Sequence, residues 1–491
     1  MFLTEKNDKK IKGRLVYNGK PTRGFVNKED SASPTAANES INITCAIDAH
    51  EDRDVMTADI PNAFVQTNLR KENEIGEKVI MKVTGVLVDM LVEIDPQLFA
   101  SYVTRENNRK VIYVVVLKAL YGMLIASLLW YQKFRKDLES IGFKFNLYDS
   151  CVANRMICGK QHTIRFHVDD ILSSHVDSSV NDAFLKWLNQ KYGSLKEVSA
   201  TRGKVHKYLG MVIDFSSKGK VKFRMDDYVV DMLNEFPSKV GSKDTASTPA
   251  SSSLFDDKNS KLLDHRKKEQ FHTFVAKCLF LSKRARPDIQ LTVAVLSTRV
   301  KGPTNQDWLR LERLMKYLNG TRTFHLTLGI DNVKVIKWFV DASYGVHPDM
   351  KSHTGSIMTM GTGAIQSGSG KQRLNTRSST EAELVGVDDV ISKILWTKLF
   401  IEEQEYVIEK NILFQDNKSS ILLETNGRKS AGKRSRHINI RYFFVTDQVR
   451  LGNMEIRHCR TDNMFGDYMT KPLQGEKFRE FRRMILGMEG D

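Results

Sequence analysis

FHVDDIL, residues 166–172, lies within the longer run HTIRFHVDDILSSHV (162–176), and the fold reads outward from it. Ile164, Phe166 and Val168 alternate with Thr163, Arg165 and His167, the period of a β-strand, and Ile171 and Leu172 resume the apolar pattern after Asp169 and Asp170. Two adjacent acids between two apolar arms mark a strand turning back on itself. On a straight strand the carboxylates would face opposite ways, whereas in a tight turn both can approach one point. The pairs Asp226-Asp227, Asp256-Asp257 and Asp388-Asp389 lack this framing and read as solvated turns or helix faces.

A second acid stands upstream in MTADIPNAFVQTN (56–68), where Asp59 follows a short run and precedes the buried-looking Phe64. If the two segments pair in one sheet, three carboxylates converge. The fitting occupant is a pair of Mg²⁺ ions, hard cations that take oxygen ligands and stabilise the oxygens of a phosphoryl transfer.

Around this centre, residues 47–236 alternate strand-like runs such as KVIYVVVLKAL (110–120) with helical ones such as LLWYQKFRKDLESIGF (128–143), an α+β texture. Residues 237–261, rich in Ser, Lys and Asp without periodicity, have linker composition. Residues 262–332 are helical by pattern. From residue 333 a strand, a Gly/Ser-rich hairpin, a long helix over 380–404 and the strand ILFQD (412–416) suggest an α/β domain reaching residue 475, with 476–491 as a C-terminal tail.

The whole chain of 491 residues is long enough for about three domains. Its 75 Lys and Arg against 59 Asp and Glu leave a charge of +16, which favours a polyanionic partner, nucleic acid first. Five scattered cysteines with no C-x-x-C spacing give no disulfide framework or structural zinc site and suggest a reducing compartment. No signal-peptide pattern is evident at the N-terminus. The longest apolar run, Val111 to Leu117, is far below membrane-spanning length, so no membrane partner is expected.

KGRLV (12–16), TADIPNAF (57–64), LKALYGM…LLWYQKF (117–134), FHVDDIL and YLGM (208–211), in that order, resemble the reverse transcriptase of copia-type LTR retrotransposons. RARPDIQLTVAVLSTRV (284–300) and MKYLNGT (315–321) extend the resemblance. It implies fingers and palm over residues 1–236, with the fingers truncated at the N-terminus, and a helical thumb or connection over 262–332. It maps the metal-binding aspartates onto Asp59, Asp169 and Asp170. It makes Phe64 the aromatic beneath the incoming sugar, with a core phenylalanine as the alternative. Lys12 and Arg14 become triphosphate contacts, and Gly122 the turn that lets nucleotide and template approach closely. His167 replaces a tyrosine common at that position.

A second acidic set lies further on. Asp341 ends the strand VIKWFVD, Glu381 opens a helix after Ser378 and Ser379, Asp416 ends ILFQD, and Asp467 lies in GDYMTKPL. Four acids from separate segments can clamp two Mg²⁺ ions, although S-S-T-E is also a helix-start pattern. FVDASY, RSSTEAEL, FQDNKSS and GDYMTKPL resemble the ribonuclease H domain that follows copia-type reverse transcriptases. The resemblance implies an α/β ribonuclease H-like domain over 333–475 that hydrolyses the RNA of an RNA/DNA hybrid, with Asp341, Glu381, Asp416 and Asp467 as ligands. Glu383 points well around the helix from Glu381 and reads as solvated or structural.

The basic run GRKSAGKRSRHINIRY (427–442) offers Arg428, Lys429, Lys433, Arg434 and Arg436 for phosphate contacts, with a nuclear-import signal or a solvated face as alternatives. His437 and His458 read as structural before catalytic. The expected enzyme is an RNA-directed DNA polymerase with linked ribonuclease H, using Mg²⁺ or Mn²⁺ on an RNA template, RNA/DNA hybrid and dNTPs in a cytoplasmic retroelement particle, with the nucleus as the alternative location. The alternatives are an inactive nucleic-acid-binding remnant and a chain that keeps only the nuclease.

Overall fold

The computed structural model describes residues 2–5, 11–14, 16–24, 31–69, 79–256, 260–427 and 439–489. Strands and helices are mixed throughout. The first sheet has six antiparallel strands in the order Ser199–Thr201, Asp54–Asp59, Asp170–His175, Lys160–His167, Val152–Ile157 and Lys144–Phe145. Both of its faces are covered, so the 160–167 strand is buried along nearly its whole length rather than alternately. On one face Ile164, Phe166 and Ile171 meet Trp130, Phe134 and Phe184 of helices Ala126–Glu139 and Ser178–Tyr192. The polar alternates face helix Asn38–His50. There the buried Arg165 donates to Asp48 Oδ2 at 2.5 Å and to Ser174 Oγ at 2.8 Å, so its charge is paired and hydrogen-bonded.

A second sheet runs Val205–Tyr208, Met211–Asp214, Lys220–Arg224, Leu326–Ile330 and Gly361–Thr362. It crosses the expected boundary at 332/333, because the 326–330 strand pairs with 220–224 on one side and with 361–362 on the other. The third sheet runs Gln366–Lys371, His353–Thr359, Val335–Ser343, Lys410–Gln415 and Glu455–His458, with helix Ser379–Glu402 packed on it. The last three strands are parallel neighbours, and the other pairings are antiparallel.

Two segments differ from the composition-based reading. Residues 237–261 form neither helix nor strand among the described residues, yet they are fastened to the body. Asn319 Nδ2 donates to the Gly241 and Asp244 carbonyls, Arg310 Nη2 to the Ser253 carbonyl, and Gln474 Nε2 to the Ala250 carbonyl. Composition reports what a segment would do alone; here partners remote in sequence, Asn319 and Arg310 among them buried, hold it. The expected tail contains helix Gly475–Leu486, whose Phe478, Phe481 and Ile485 are buried in the main core. One apolar face on an otherwise charged helix explains the docking.

The first and third sheets are locked together. Asn146 Nδ2 donates to the Phe400 carbonyl at 3.0 Å, Gln161 Nε2 to the Gln404 carbonyl at 2.7 Å, and Arg53 Nη2 to Tyr406 Oη at 2.8 Å.

Candidate active site

Asp59 is the last residue of its strand, and its direct cross-strand partner is Asp170. On the other side Asp170 pairs with His167, so Val168 and Asp169 form a two-residue hairpin turn. Val168 has φ 61°, left-handed and costly for a β-branched residue. The buried Trp130 indole fixes this turn by donating to the Val168 carbonyl at 2.7 Å, and the Ile60 amide donates to the Asp169 carbonyl at 3.2 Å. Burial, with Asp169 and Asp59 alongside, pushes the Asp170 carboxyl up to about 6. Burial also holds His167 below its ordinary value, opposed by Asp169 and assisted by Arg284.

Phe64, in the short 3₁₀ turn Ala63–Gln66, is half-buried with its ring 4.6 Å from that of Tyr121. Gly122 has φ 90°, and a Cβ there would lie 2.1 Å from the Tyr17 carbonyl oxygen. The close approach is therefore made by the chain's own 16–19 segment, which the Tyr17 amide fastens to the Tyr121 carbonyl at 2.7 Å. Lys12 and Arg14 lie on strand Ile11–Arg14, paired with Phe2–Glu5; their side chains lie outside the described residues.

The second acidic set is drawn together on the third sheet. Oxygens of Asp341, Glu383 and Asp416 lie within 4.8 Å of one another. Glu383, rather than Glu381, supplies the helix's acid. Residues two apart on an α-helix point about 200° apart, so only one of the pair can face the sheet. Ser378 caps the helix by accepting from the Glu381 amide, and the Glu381 carboxylate accepts from the Arg377 amide at 2.7 Å, which occupies it at the helix start. Glu383 is buried with Oε2 unpartnered, and burial followed by Asp341 and Asp416 raises its pKa well above the ordinary carboxylate range. The available signal was an acid embedded in the apolar run AELVGV (382–387).

Asp467 approaches by another route. A Cβ on Gly466 would lie 2.9 Å from Asp341 Cβ, so this glycine lets the 465–469 turn sit directly on the central strand. Asp467 stands outside the three-acid set and is paired at 2.7 Å with Lys471, whose ammonium is also 3.6 Å from Asp341 Oδ2. Thr470 Oγ1 donates to the same Asp341 oxygen. Burial, opposed by Lys471, raises the Asp341 carboxyl. The roles of Thr470 and Lys471 were not read from the sequence. His458 is exposed and pairs in register with Gln415 beside Asp416. Arg428, Lys429, Lys433, Arg434, Arg436 and His437 lie outside the described residues.

The hairpin sets two adjacent aspartates against a third on the neighbouring strand, and the stretch that carries them lies inside a match to a known family. The profile described as reverse transcriptase (RNA-dependent DNA polymerase) matches residues 2–251, and the chain belongs to that family. Its copia type follows from its relatives. It is 26% identical over 484 residues to the retrovirus-related Pol polyprotein from transposon RE2 of Arabidopsis thaliana, covering 97% of this chain and 30% of that protein. It is 24% identical over 493 residues to the corresponding polyprotein from transposon TNT 1-94 of Nicotiana tabacum, covering 98% and 34%. It is 23% identical over 376 residues to the transposon Ty1-GR2 Gag-Pol polyprotein of Saccharomyces cerevisiae, covering 74% and 21%. The chain thus spans about a third of the first two relatives. No helix among the described residues is long and apolar enough to cross a membrane.

Proposed function

We propose that this chain carries the polymerase and ribonuclease H centres of a copia-type retrotransposon: RNA-directed DNA synthesis at Asp59, Asp169 and Asp170, and hydrolysis of the hybrid's RNA strand at Asp341, Glu383 and Asp416, with Asp467 beside them. Residues 1–236 would form fingers and palm, 262–332 the thumb or connection, and 333–475 the nuclease. The observation that supports the polymerase reading best is the Asp59–Asp170 register with Asp169 in the adjoining turn, inside the stretch matched to the family.

Both acid sets suit hard divalent cations. They offer carboxylate oxygens alone, and the unpartnered, buried Glu383 Oε2 beside two other acids is costly unless a cation or a proton balances it. Bound Mg²⁺, or Mn²⁺ in its place, would stabilise the attacking and leaving oxygens of phosphoryl transfer. The chain's own residues do the positioning. Trp130 and the Val168 turn hold Asp169 and Asp170 at the strand end, Phe64 faces the nucleotide's sugar, and Gly122 lets the 16–19 segment close over the turn.

The tighter packing of the C-terminal trio favours a second reading, in which only the nuclease is retained. Primer extension on an RNA template, compared with Asp169→Asn, and hybrid cleavage, compared with Asp416→Asn, separate the two. Extension and cleavage that each vanish only in their own variant support the full reading. Cleavage without extension leaves the nuclease alone, and wild-type inactivity in both assays sinks both readings.

A further inference from the structure

One buried carboxyl close to the nuclease acids has no part in the chemistry proposed above. Glu424, on helix Lys418–Asn426, and Gln415, the last residue of strand Lys410–Gln415, are both 0% exposed. Both Glu424 oxygens and both polar atoms of the Gln415 amide are buried without a hydrogen bond. Burial raises the Glu424 carboxyl well above the ordinary carboxylate range, and among the described residues the Gln415 amide is the one group that acts on it in the opposite sense. No lysine, arginine or histidine among them does so. A carboxylate left unbalanced at that depth is far costlier than a carboxylic acid, so Glu424 keeps its proton.

Donors and acceptors then match. A carboxylic acid gives one O–H and accepts at its carbonyl, while a primary amide gives N–H and accepts at its own carbonyl. Set against each other, the Glu424 O–H donates to Gln415 Oε1 and Gln415 Nε2 donates to the acid's carbonyl oxygen, which satisfies every orphaned atom of the two side chains. The ionised acid cannot do this. It has no proton to give, so Gln415 Oε1 stays buried without a donor.

The place of the pair gives it a task. Asp416 follows Gln415 directly, and Asn417 caps the helix that carries Glu424 by accepting from the Ser419 and Ser420 amides. Strand end, Asp416 and helix therefore form a loop that the acid and amide close. Its surroundings hold it on several sides. The Cys459 amide donates to the Gln415 carbonyl at 2.7 Å, and Thr446 Oγ1 donates to the Glu424 carbonyl at 2.7 Å. Ser420 Oγ donates at 3.2 Å to the Thr380 carbonyl, at the start of the helix that bears Glu383. We infer that Glu424 pairs as a carboxylic acid with the Gln415 amide, a clasp that positions Asp416 in the nuclease centre. A neutral clasp adds no negative charge to the neighbourhood of Asp341, Glu383 and Asp416. The inference rests on the nuclease reading proposed above.

The test uses the full chain and reads the pair, metal uptake and cleavage separately. The infrared spectrum of wild type minus that of Glu424→Gln, near neutral pH, should show the carbonyl band of a protonated carboxylic acid, shifted by exchange into D₂O. Glu424→Gln still sets an N–H and a carbonyl against Gln415, so it should match wild type in Mn²⁺ uptake and in hybrid cleavage. Glu424→Leu and Gln415→Glu each break the pair. Spin-resonance titration should show Mn²⁺ affinity, at the site that Asp416→Asn removes, falling roughly 10-fold, as when an outer partner of a metal ligand is lost. The kcat of hybrid cleavage should fall with it, while the hybrid KM and primer extension hold. Gln415→Glu/Glu424→Gln sets acid against amide in reverse order and should recover both affinity and kcat. A difference spectrum without the acid band would overturn the inference. So would a double variant no better than Gln415→Glu alone, or wild-type affinity and kcat in Glu424→Leu. Failure of the nuclease reading looks different: wild type would cleave no hybrid, while the acid band, the Mn²⁺ losses and their recovery in the double variant all stand.

Discussion

Lys471 places its ammonium 2.7 Å from Asp467 Oδ1 and so supplies a resident cation at the edge of the nuclease acids; Lys477 approaches the other Asp467 oxygen at 3.5 Å. Lys471→Met should leave Asp341 and Asp467 less compensated. The ammonium is partly exposed, so solvent screening limits the cost to about 1–2 kcal/mol. Thermal melts in EDTA should fall by roughly 2–8 °C. Added Mg²⁺ should restore more stability to the variant than to wild type, and an equal Mg²⁺ effect on both would show that the lysine is not a counter-ion there.

Glu383 and Glu381 should separate cleanly. Glu383→Gln is expected to lower hybrid cleavage by about 100-fold or more, as when a preorganised charged group is lost at a reacting centre. Glu381→Gln should keep cleavage within a few-fold and cost about 0.5–1 kcal/mol of stability through the weakened helix start. Initial rates on one hybrid, with a denaturant melt of each variant, read both quantities. Cleavage lost in Glu381→Gln and kept in Glu383→Gln would reverse the assignment.

Trp130 is expected to act on the polymerase centre through the Val168 carbonyl. Trp130→Phe keeps an aromatic ring beside Phe134 and Tyr192 but removes the indole N–H from which that carbonyl accepts. The stability cost should be about 1–3 kcal/mol. Primer extension should drop while cleavage by the distant Asp341 cluster holds, and equal losses in both assays would mark a general packing defect.

Gly122→Ala meets both a positive φ and the Tyr17 carbonyl, so the 16–19 segment has to move away. Limited proteolysis should open new cuts within the first 24 residues. The dNTP KM of primer extension should rise more than kcat falls. An unchanged digest and KM would mean that the close approach is dispensable.

How much of this was legible in the sequence depends on whether the partner of a residue is near it in the chain. The alternation of Ile164 and Phe166 and the acids that interrupt it are local, and the hairpin follows from them. That Arg165 is buried is not local, because its neutralising partner Asp48 lies 117 residues away. Residues 237–261 look like a linker for the same reason, since Asn319, Arg310 and Gln474 hold them from outside. The choice between Glu381 and Glu383 turned on phase: a capping pattern drew attention to the acid at the helix start, while the buried acid just beyond it stood inside an apolar run. Lys471 fits neither account, as a lysine shortly before the last helix gives no local sign of the acids it faces.

Acid should destabilise the third sheet through His347 and His353. His347 Nε2 and His353 Nδ1 lie 3.0 Å apart, and His353 Nε2 is 2.8 Å from Ser369 Oγ. Burial, then the Lys371 charge, brings His347 down to about 4, with Asp349 opposing and Arg299 assisting; burial, then His347, brings His353 down to about 3. Both folded pKa values lie below the unfolded value near 6.5, so below that pH the unfolded chain binds more protons. Their contribution is fully present above about pH 6.5, is lost as the pH falls toward 4, and levels off below about 3. With both titrating, the slope between pH 5.5 and 4.5 should be on the order of 2 kcal/mol per pH unit. The raised carboxyls of Asp170, Asp341 and Glu383 act in the opposite sense, so the quantity to read is a difference. Denaturant melts of wild type and His347→Asn/His353→Asn at pH 7.5, 5.5 and 4.5 should converge as the pH falls, the variant starting less stable and declining less. Parallel curves would show that neither imidazole is kept neutral by its burial.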